Sequence, residues 1–267
     1  MAEHQNQLRR FLLILGVFAT ITSALAGTYR EHFEQILPLS EGGRFLLEND
    51  NGSIHLVVWS RQEVRIEAEK IAKTGSEEEA RSLLERTEIV IEQRGDEIEV
   101  RTRTPRRGSG SLWGWMFDHD GGVHVNYSIS VPEDIFMSIR SSNGAITAQE
   151  ISGEIELQTT NGRLEVEDAR GKVLAETTNG AIVASLRQIA PDADLRFETT
   201  NGSIKANLPA NYTGRISART VNGSIKCDFP LQHERKSNRH HLEGYVGNGD
   251  NRASFRTTNG SISIRRM

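Results

Sequence analysis

Apolar and polar residues alternate on both sides of a short motif, Asn-Gly, that occurs in seven matched copies along the chain. In each copy the residues four and six positions before the asparagine are apolar, and so are those three and five positions after it. A period of two is typical of a strand with one buried face, so each copy predicts a strand, a turn and a second strand. Asn-Gly favours the turn because both residues tolerate a positive φ. The predicted turn residues are Asn51, Gly52, Asn143, Gly144, Asn161, Gly162, Asn179, Gly180, Asn201, Gly202, Asn222, Gly223, Asn259 and Gly260.

A second corner lies eight residues before the asparagine. The strand between this corner and the Asn-Gly turn therefore has the same length in each of these copies. We call the residues at one position of all the copies a column. Columns that match in every copy favour stacked coils over a meander of hairpins, because in a stack each residue lies about 4.8 Å from its counterpart in the next coil and must suit it. We therefore predict a mainly β fold, a β-solenoid of about six to seven Thr-Thr-Asn-Gly coils. The second corner is occupied by Gly43, Gly153, Gly171, Gly214, Ala193 and Asn251.

The columns also predict the roles of single residues. Thr159, Thr177, Thr199 and Thr220 should stack in one row, and the asparagine and threonine columns are expected to form hydrogen-bond ladders along the corner. Cys227 falls in an inward column and is predicted to be a small buried core residue, not a reactive thiol. It is the only cysteine, so no internal disulfide can form.

A different pattern fills the stretch between the first two copies. A capping box of Ser76 and Glu79 predicts a helix near 77–87. The segment is interpreted as an α+β insertion near the N-terminal end, where it covers a strand edge that would otherwise promote aggregation. Strands are predicted at 64–72, 89–93, 98–102 and 123–131. The predicted organisation is 1–26 export signal, 27–60 first solenoid copy, 61–132 insertion and 133–267 solenoid repeats.

Inside the insertion, residues 105–122 form a glycine-rich stretch that holds two of the three tryptophans. Aromatic and arginine residues dominate binding hot spots, and a basic aromatic tip also suits an anionic membrane surface. This loop either folds back on its own domain or carries the contact with a partner. The predicted partner-binding residues are Arg106, Arg107, Trp113, Trp115, Met116 and Phe117.

The first 26 residues have the pattern of a targeting segment. Arg9 and Arg10 precede an apolar run, and Ala24-Leu25-Ala26 matches a signal-peptidase site. The sequence therefore predicts an exported protein of the periplasm or cell surface, cleaved after Ala26. The alternative is an uncleaved anchor, because the apolar run is near the short limit for a membrane span.

Charge is unevenly distributed along the chain. Residues 27–195 carry 18 basic and 30 acidic side chains, whereas residues 196–267 carry 12 basic and 5 acidic ones. The basic terminal section could meet an anionic glycan, lipid headgroups or an acidic partner. Alternatively it protects an edge, with Arg265 and Arg266 blocking end-to-end stacking.

One outward column begins with alternating charges and predicts salt pairs between coils. It reads Glu154, Lys172, Asp194, Arg215 and Arg252.

Catalytic motifs are missing from the sequence. It contains no nucleophile elbow, phosphate loop, dinucleotide fingerprint or zinc spacing, so we predict no enzyme, no cofactor and no metal. Some β-helical proteins cleave polysaccharides with paired carboxylates, and Glu176 and Glu198 are the nearest match to such a pair. Weak metal candidates are Asp118, His119 and Asp120, and a polar loop with His233, His240 and His241.

Three features together carry a family resemblance: the Ser-Glu-Glu-Glu-Ala helix start, the strand end at Ile129-Ser130-Val131-Pro132, and the later Thr-Thr-Asn-Gly copies. They resemble the bacterial "putative adhesin" family of domain-of-unknown-function 4097 type. The resemblance covers nearly all of the chain after the export signal. It implies export and a β-solenoid, and it supplies no catalytic residues.

The resemblance and the residues together predict an exported binding or scaffolding protein of the cell envelope or surface. The alternatives are a polysaccharide-acting β-helical enzyme and an envelope signalling or assembly component. The expected partner is an envelope glycan, an anionic membrane surface or another envelope protein, and not nucleic acid.

Overall fold

The computed structural model of the chain describes residues 27–104 and 122–267, with the backbone alone for 12–13, 18–21 and 233–237. The described residues contain one helix, α1 (Glu77–Arg86), and 22 strands hydrogen-bonded into one sheet. The strands are β1 (Leu12–Leu13), β2 (Phe18–Ile21), β3 (Thr28–Pro38), β4 (Arg44–Asn51), β5 (Ile54–Val58), β6 (Glu63–Lys73), β7 (Glu88–Arg94), β8 (Glu97–Arg103), β9 (Val123–Val131), β10 (Ile135–Asn143), β11 (Ile146–Gln149), β12 (Ser152–Asn161), β13 (Leu164–Asn179), β14 (Ile182–Gln188), β15 (Asp194–Asn201), β16 (Ile204–Leu208), β17 (Gly214–Arg219), β18 (Ile225–Cys227), β19 (Gln232–Asn238), β20 (His241–Val246), β21 (Asn251–Asn259) and β22 (Ile262–Arg266).

Each coil is built from two strands that meet at Asn-Gly, and equivalent strands of successive coils pair in parallel. Asn143 pairs with Asn51 on one side and with Asn161 on the other, so residues of one column are direct neighbours. Inward columns of apolar side chains, mostly aliphatic with some aromatic rings, then form one continuous core between two faces. The predicted mainly β solenoid fold is confirmed.

We call the face made by the strands before each asparagine the first face, and the face made by the strands after it the second face. The first face contains β4, β10, β12, the end of β13, β15, β21 and β17. The second contains β5, β11, the start of β13, β14, β16, β22 and β18.

The order of the coils in space differs from their order in the sequence. β21 pairs with both β15 and β17, so Asn259 lies between Asn201 and Asn222. The rings of Phe197 and Phe255 stack across this junction with centroids 5.3 Å apart. The seventh copy is therefore inserted between the fifth and the sixth, and the sixth is the outermost coil.

This insertion corrects the predicted threonine row. Thr257 pairs with Thr199, so Thr220 does not lie directly beside Thr199. The physical cause is the hairpin of β19 and β20, whose second strand pairs antiparallel with the outer edge of β17. Because that edge is covered, the chain can return only on the inner side of β17.

The same hairpin corrects two further predictions. Residues 233–241 are not a polar loop: β19 ends at Asn238 and β20 begins at His241, and the two strands are hydrogen-bonded to each other. Arg265 and Arg266 pair with β16 inside the stack, so they do not block its end. The hairpin covers the outer edge of the first face instead.

The N-terminal end of the stack is built differently. β8 and β9 extend the two faces in parallel beyond β4 and β5. Antiparallel strands then follow, with β7 on β8, β6 on β9 and β3 on β6. Helix α1 begins after Ser76, whose side chain accepts a hydrogen bond from the Glu79 backbone as the capping box predicts.

An ion pair with a buried lysine lies between α1 and the strands beneath it. Lys70 of β6 is 2% exposed, and its Nζ lies 3.1 Å from Glu31 Oε1 and 3.4 Å from the carbonyl oxygen of Leu84. A cation near the last carbonyls of a helix is favourable because the helix dipole is negative there. Lys70 therefore ties α1 to β3 and β6.

No helix among the described residues has the length and apolar character needed to cross a membrane.

Candidate functional site

The predicted partner-binding residues, Arg106, Arg107, Trp113, Trp115, Met116 and Phe117, lie outside the described residues, so their role stays a prediction. The structure does place the two ends of their loop. Thr104, which follows β8, donates from Oγ1 to Asp50 Oδ2 at 2.9 Å, beside the Asn-Gly corner of the first coil. The loop therefore leaves the stack at its N-terminal end, between β8 and β9.

The asparagines of the seven corners form one continuous side-chain ladder. From Asn143 onward each Nδ2 donates to the Oδ1 of the asparagine in the preceding layer at 2.7–2.8 Å, which gives six successive hydrogen bonds from Asn51 to Asn222. Stacked amides of this kind were expected for the asparagine column, and the prediction is confirmed.

The threonine column bonds differently from the expected ladder. Thr177 Oγ1 donates to the carbonyl oxygen of Gly162 in the preceding coil at 3.1 Å, and the equivalent threonines do the same at 2.8–3.4 Å. The threonines therefore bond to backbone and not to one another. Because the hydroxyls are used inside the corner, their role is structural, as the sequence predicted.

The glycine of the motif is required by close stacking more than by its φ angle. Among the seven motif glycines, all of them described, only Gly52 and Gly144 have a positive φ in the left-handed region, and the asparagines have none. A Cβ added to Gly180 would lie 1.9 Å from the carbonyl oxygen of Gly162, which no side chain can occupy. The expectation that positive φ selects Asn-Gly is therefore wrong at most corners.

Charged side chains on the first face form pairs between coils. Lys172 Nζ lies 2.6 Å from Glu154 Oε1, and this hydrogen bond is the main cause that raises the pKa of Lys172. The predicted pairing of Asp194 with Arg215 is wrong, because Arg252 of the inserted β21 lies between them. Charge alternation therefore holds in the middle of the stack and fails near its C-terminal end.

Glu176 and Glu198 are neighbours in register, as predicted. They line an open groove of about 450 Å³ that follows the outer threonines of the corner. Arg196 Nε lies 3.3 Å from Glu176 and 3.0 Å from Glu198, and the hydrogen bond to Glu198 raises the pKa of Arg196. Catalytic carboxylates of glycosidases flank the bond to be cleaved, and one of them must be protonated. Here both carboxylates share one guanidinium partner, Arg196, in a salt network.

The histidine candidates do not assemble into a metal site in the part of the chain that the structure describes. No group of three or more His, Cys, Asp or Glu side chains there could hold a metal ion. His241 Nε2 lies 3.7 Å from Glu243 Oε2, and His240 lies in the exposed hairpin turn. Asp118, His119 and Asp120 fall outside the described residues, as does the side chain of His233.

Cys227 is only half-buried, so the prediction that it is a buried core residue is wrong. It belongs to the outermost coil, where β22 is the only described strand that pairs with β18. Burial still raises the pKa of the Cys227 thiol, which disfavours the reactive thiolate.

Known proteins with a related fold are available for comparison. A putative cell adhesion protein from Clostridium sporogenes superimposes with a TM-score of 0.50 and 14% identity, covering 88% of this chain and 99% of that protein. A putative adhesin from Parabacteroides distasonis gives a TM-score of 0.33 and 11% identity over 88% of this chain and 97% of that one. At these identities the first likeness supports the fold alone. None of the curated proteins compared with this chain matches it.

The sequence itself carries the family assignment. The pattern of one family matches residues 116–265, which is more than half of the chain and includes six of the seven Asn-Gly coils. The geometry above agrees with that match, since the matched region is the parallel stack with its asparagine ladder. The chain belongs to the Toastrack family, domain of unknown function 4097.

Proposed function

We propose that this chain is an exported binding or scaffolding protein of the cell envelope or surface, and that it works without catalysis. The observation that carries the proposal is how the described part of the solenoid uses its groups. Its interior is filled by apolar side chains, its corner asparagine amides bond to one another, and the buried threonine hydroxyls of the corner bond to backbone. What remains for a partner is a long outer surface, which suits recognition of an extended ligand.

The comparisons support this proposal without specifying a ligand. The Clostridium sporogenes and Parabacteroides distasonis proteins are named as a putative cell adhesion protein and a putative adhesin. We carry the adhesive role to this chain as part of the proposal. The export pattern of residues 1–26 supports a mature protein of the periplasm or cell surface, cleaved after Ala26. An N-terminus at Gly27, found by mass spectrometry of the exported protein, would support cleavage, and full-length protein in the membrane fraction would favour the uncleaved anchor instead.

Within this function, the loop of residues 105–122 is proposed as the contact with the partner. It leaves the stack at the N-terminal end, where β8 and β9 are held by the first coil. A loop whose two ends continue from strands that are each paired with the first coil can present aromatic side chains without disturbing the coils. The partner classes are an envelope glycan, an anionic membrane surface and another envelope protein.

The test compares two sets of tryptophan variants of residues 27–267. Trp113→Ala combined with Trp115→Ala should abolish binding to arrays of uncharged glycans or to liposomes and leave the melting temperature unchanged. Trp59→Ala is the matched control, because the Trp59 backbone bonds to Val131, at the end of β9 that is farther from the loop, and its Nε1 donates to the carbonyl oxygen of Glu63. Unchanged binding by the double variant, or a melting temperature lowered by several degrees, would contradict the proposed contact.

The polysaccharide-acting enzyme is tested by the same ligands. Incubation of the protein with each bound glycan should leave the glycan intact. Cleavage that is lost in Glu176→Gln or Glu198→Gln would overturn the non-catalytic proposal.

A further inference from the structure

Two neighbouring strands of the first face carry the same short motif, Arg-x-Ser-x-Arg, side by side. β17 and β21 pair in parallel, so each arginine lies beside an arginine and each serine beside a serine. The residues between them are buried, and the motif side chains therefore point outward. We call this set the arginine array: Arg215, Ser217, Arg219, Arg252, Ser254 and Arg256.

Among the side chains that the structure describes, the array holds more positive charge than its ion pairs neutralise. Arg215 Nη2 lies 2.7 Å from Glu243 Oε1. In the described part of the chain, Arg219, Arg252 and Arg256 make no ion pair within 4.0 Å. Like charges directly opposite each other in a sheet are destabilising, so this arrangement raises the energy of the free protein.

Acidic residues flank the array but are only partly available to it. Asp194 and Glu198 of β15 lie opposite Arg252 and Arg256. Glu198 is already bonded to Arg196 at 3.0 Å. In the middle of the stack, by contrast, opposite charges meet directly, as in Lys172 with Glu154 at 2.6 Å. An anionic ligand would relieve the array of a repulsion that the protein itself leaves in place.

The surroundings of the array indicate the kind of anion. Ser217 and Ser254 lie between the arginines, and the exposed hydroxyls of Thr200 and Thr258 line the adjoining groove of about 450 Å³ with Arg256. Tyr245, 36% exposed, is paired with Arg215 at the far end of the motif. Guanidinium groups bind carboxylates in a bidentate manner, hydroxyls bond to sugar hydroxyls, and an exposed aromatic ring can stack on a sugar ring.

The spacing of the array fits an extended chain of charges. Along one strand the two arginines are four residues apart, about 13 Å, and across the strands they are about 4.8 Å apart. A membrane surface is a less suitable partner, because the exposed apolar side chains described near the array do not form a patch that could insert into it. Two exposed large apolar residues of the described chain lie near the array, and they are separated by its length: Val221 follows Arg219 at one end, and Tyr245 lies beside Arg215 at the other.

We propose that the arginine array binds an acidic polysaccharide that lies along β17 and β21. Its carboxylates pair with the guanidinium groups of Arg219, Arg252 and Arg256, and its hydroxyls bond to the serines and threonines beside them. The proposal is independent of the aromatic loop, which leaves the stack at the opposite end.

The test measures binding of fluorescent oligogalacturonate to residues 27–267 by anisotropy. The combined replacement Arg219→Gln, Arg252→Gln and Arg256→Gln should weaken binding by tenfold or more, roughly the loss expected for removed charge-assisted hydrogen bonds. The matched control replaces three exposed cations of the second face, Lys205→Gln, Arg265→Gln and Arg266→Gln, and should bind like the wild type. Methyl-esterified oligogalacturonate keeps the sugar chain without its charge and should bind at least tenfold more weakly.

Several outcomes would overturn the proposal. These are absent binding by the wild type, equal binding by the triple variant, an equal loss in the control, or a preference for phosphatidylglycerol vesicles over the oligosaccharide. If the triple variant melts below the wild type, the single variants Arg219→Gln and Arg256→Gln decide instead, each expected to weaken binding severalfold. The tryptophan double variant should retain full oligogalacturonate binding, so failure of the loop proposal and failure of this one are separate results.

Discussion

The coil at Asn179 and the coil at Asn222 carry the same motif and behave differently. The first has a coil on each side, and its inward residues Ile182 and Ala184 are fully buried. The second is the outermost coil, and its equivalents Ile225 and Cys227 are half-buried. Position in the stack, and not the sequence of the copy, therefore sets how much each residue contributes to stability.

The largest effect is expected when the same inward position is replaced by aspartate in an interior coil and in the outermost coil. Ile204→Asp places an unpaired charge in an interior coil, where Ile204 is 1% exposed, and should lower the free energy of unfolding by about 4 kcal/mol or more. Ile225→Asp, in the outermost coil, should lower it by about 1–2 kcal/mol because solvent reaches that carboxylate. Urea denaturation of both variants gives the difference. Equal losses of unfolding free energy in the two variants would contradict the conclusion that position in the stack sets a residue's contribution.

A smaller effect is expected in the asparagine ladder. Asn179 both donates to Asn161 and accepts from Asn201, whereas Asn222 only donates to Asn259. At about 0.5–1.5 kcal/mol for each hydrogen bond, Asn179→Ala should lower the free energy of unfolding by about 1–2 kcal/mol, and Asn222→Ala by about half as much. Thermal melting in parallel with the urea series measures both. A larger loss at Asn222 would mean that the ladder does not transmit stability along the corner.

The smallest effect concerns thiol reactivity. Cys227 should react slowly with a thiol reagent near neutral pH, because its raised pKa leaves little thiolate, and the rate should continue to rise above the pH at which a free thiol levels off. A cysteine introduced as Ala206→Cys in a Cys227→Ala protein should remain unlabelled while folded, since Ala206 is fully buried in an interior coil. Labelling at both positions with similar rates would contradict the assigned burial.

The register of the coils could be predicted from the sequence, but their order could not. Apolar columns on both sides of each asparagine specify which residues must face inward, and this sets the pairing of Asn143 with Asn161. Nothing in those columns distinguishes Asn222 from Asn259, since both carry the same apolar pattern. The signal was the 37-residue gap between them, which holds the hairpin that covers β17.

The candidate site was predictable to a similar extent. The aromatic loop could be named from composition, and it remains a prediction because its residues lie outside the described part of the chain. The arginine array was missed, although the repeated Arg-x-Ser-x-Arg at 215–219 and 252–256 was visible in the sequence. The two motifs become neighbours only because β21 enters the stack beside β17, and the assumed sequential stacking placed Arg215 beside Asp194 instead.

The late arrival of β21 has a consequence for how the chain reaches its folded state. β15 and β17 are both made before β21, yet each needs β21 as its partner on the first face. During synthesis the growing chain can complete the coils up to Asn201, but the coil at Asn222 has to wait for residues 251–264. Loss of residues 251–264 would therefore remove a layer from within the stack and leave its outermost layer without support. In this chain, residues that are translated after the outermost coil are those that join it to the rest of the molecule.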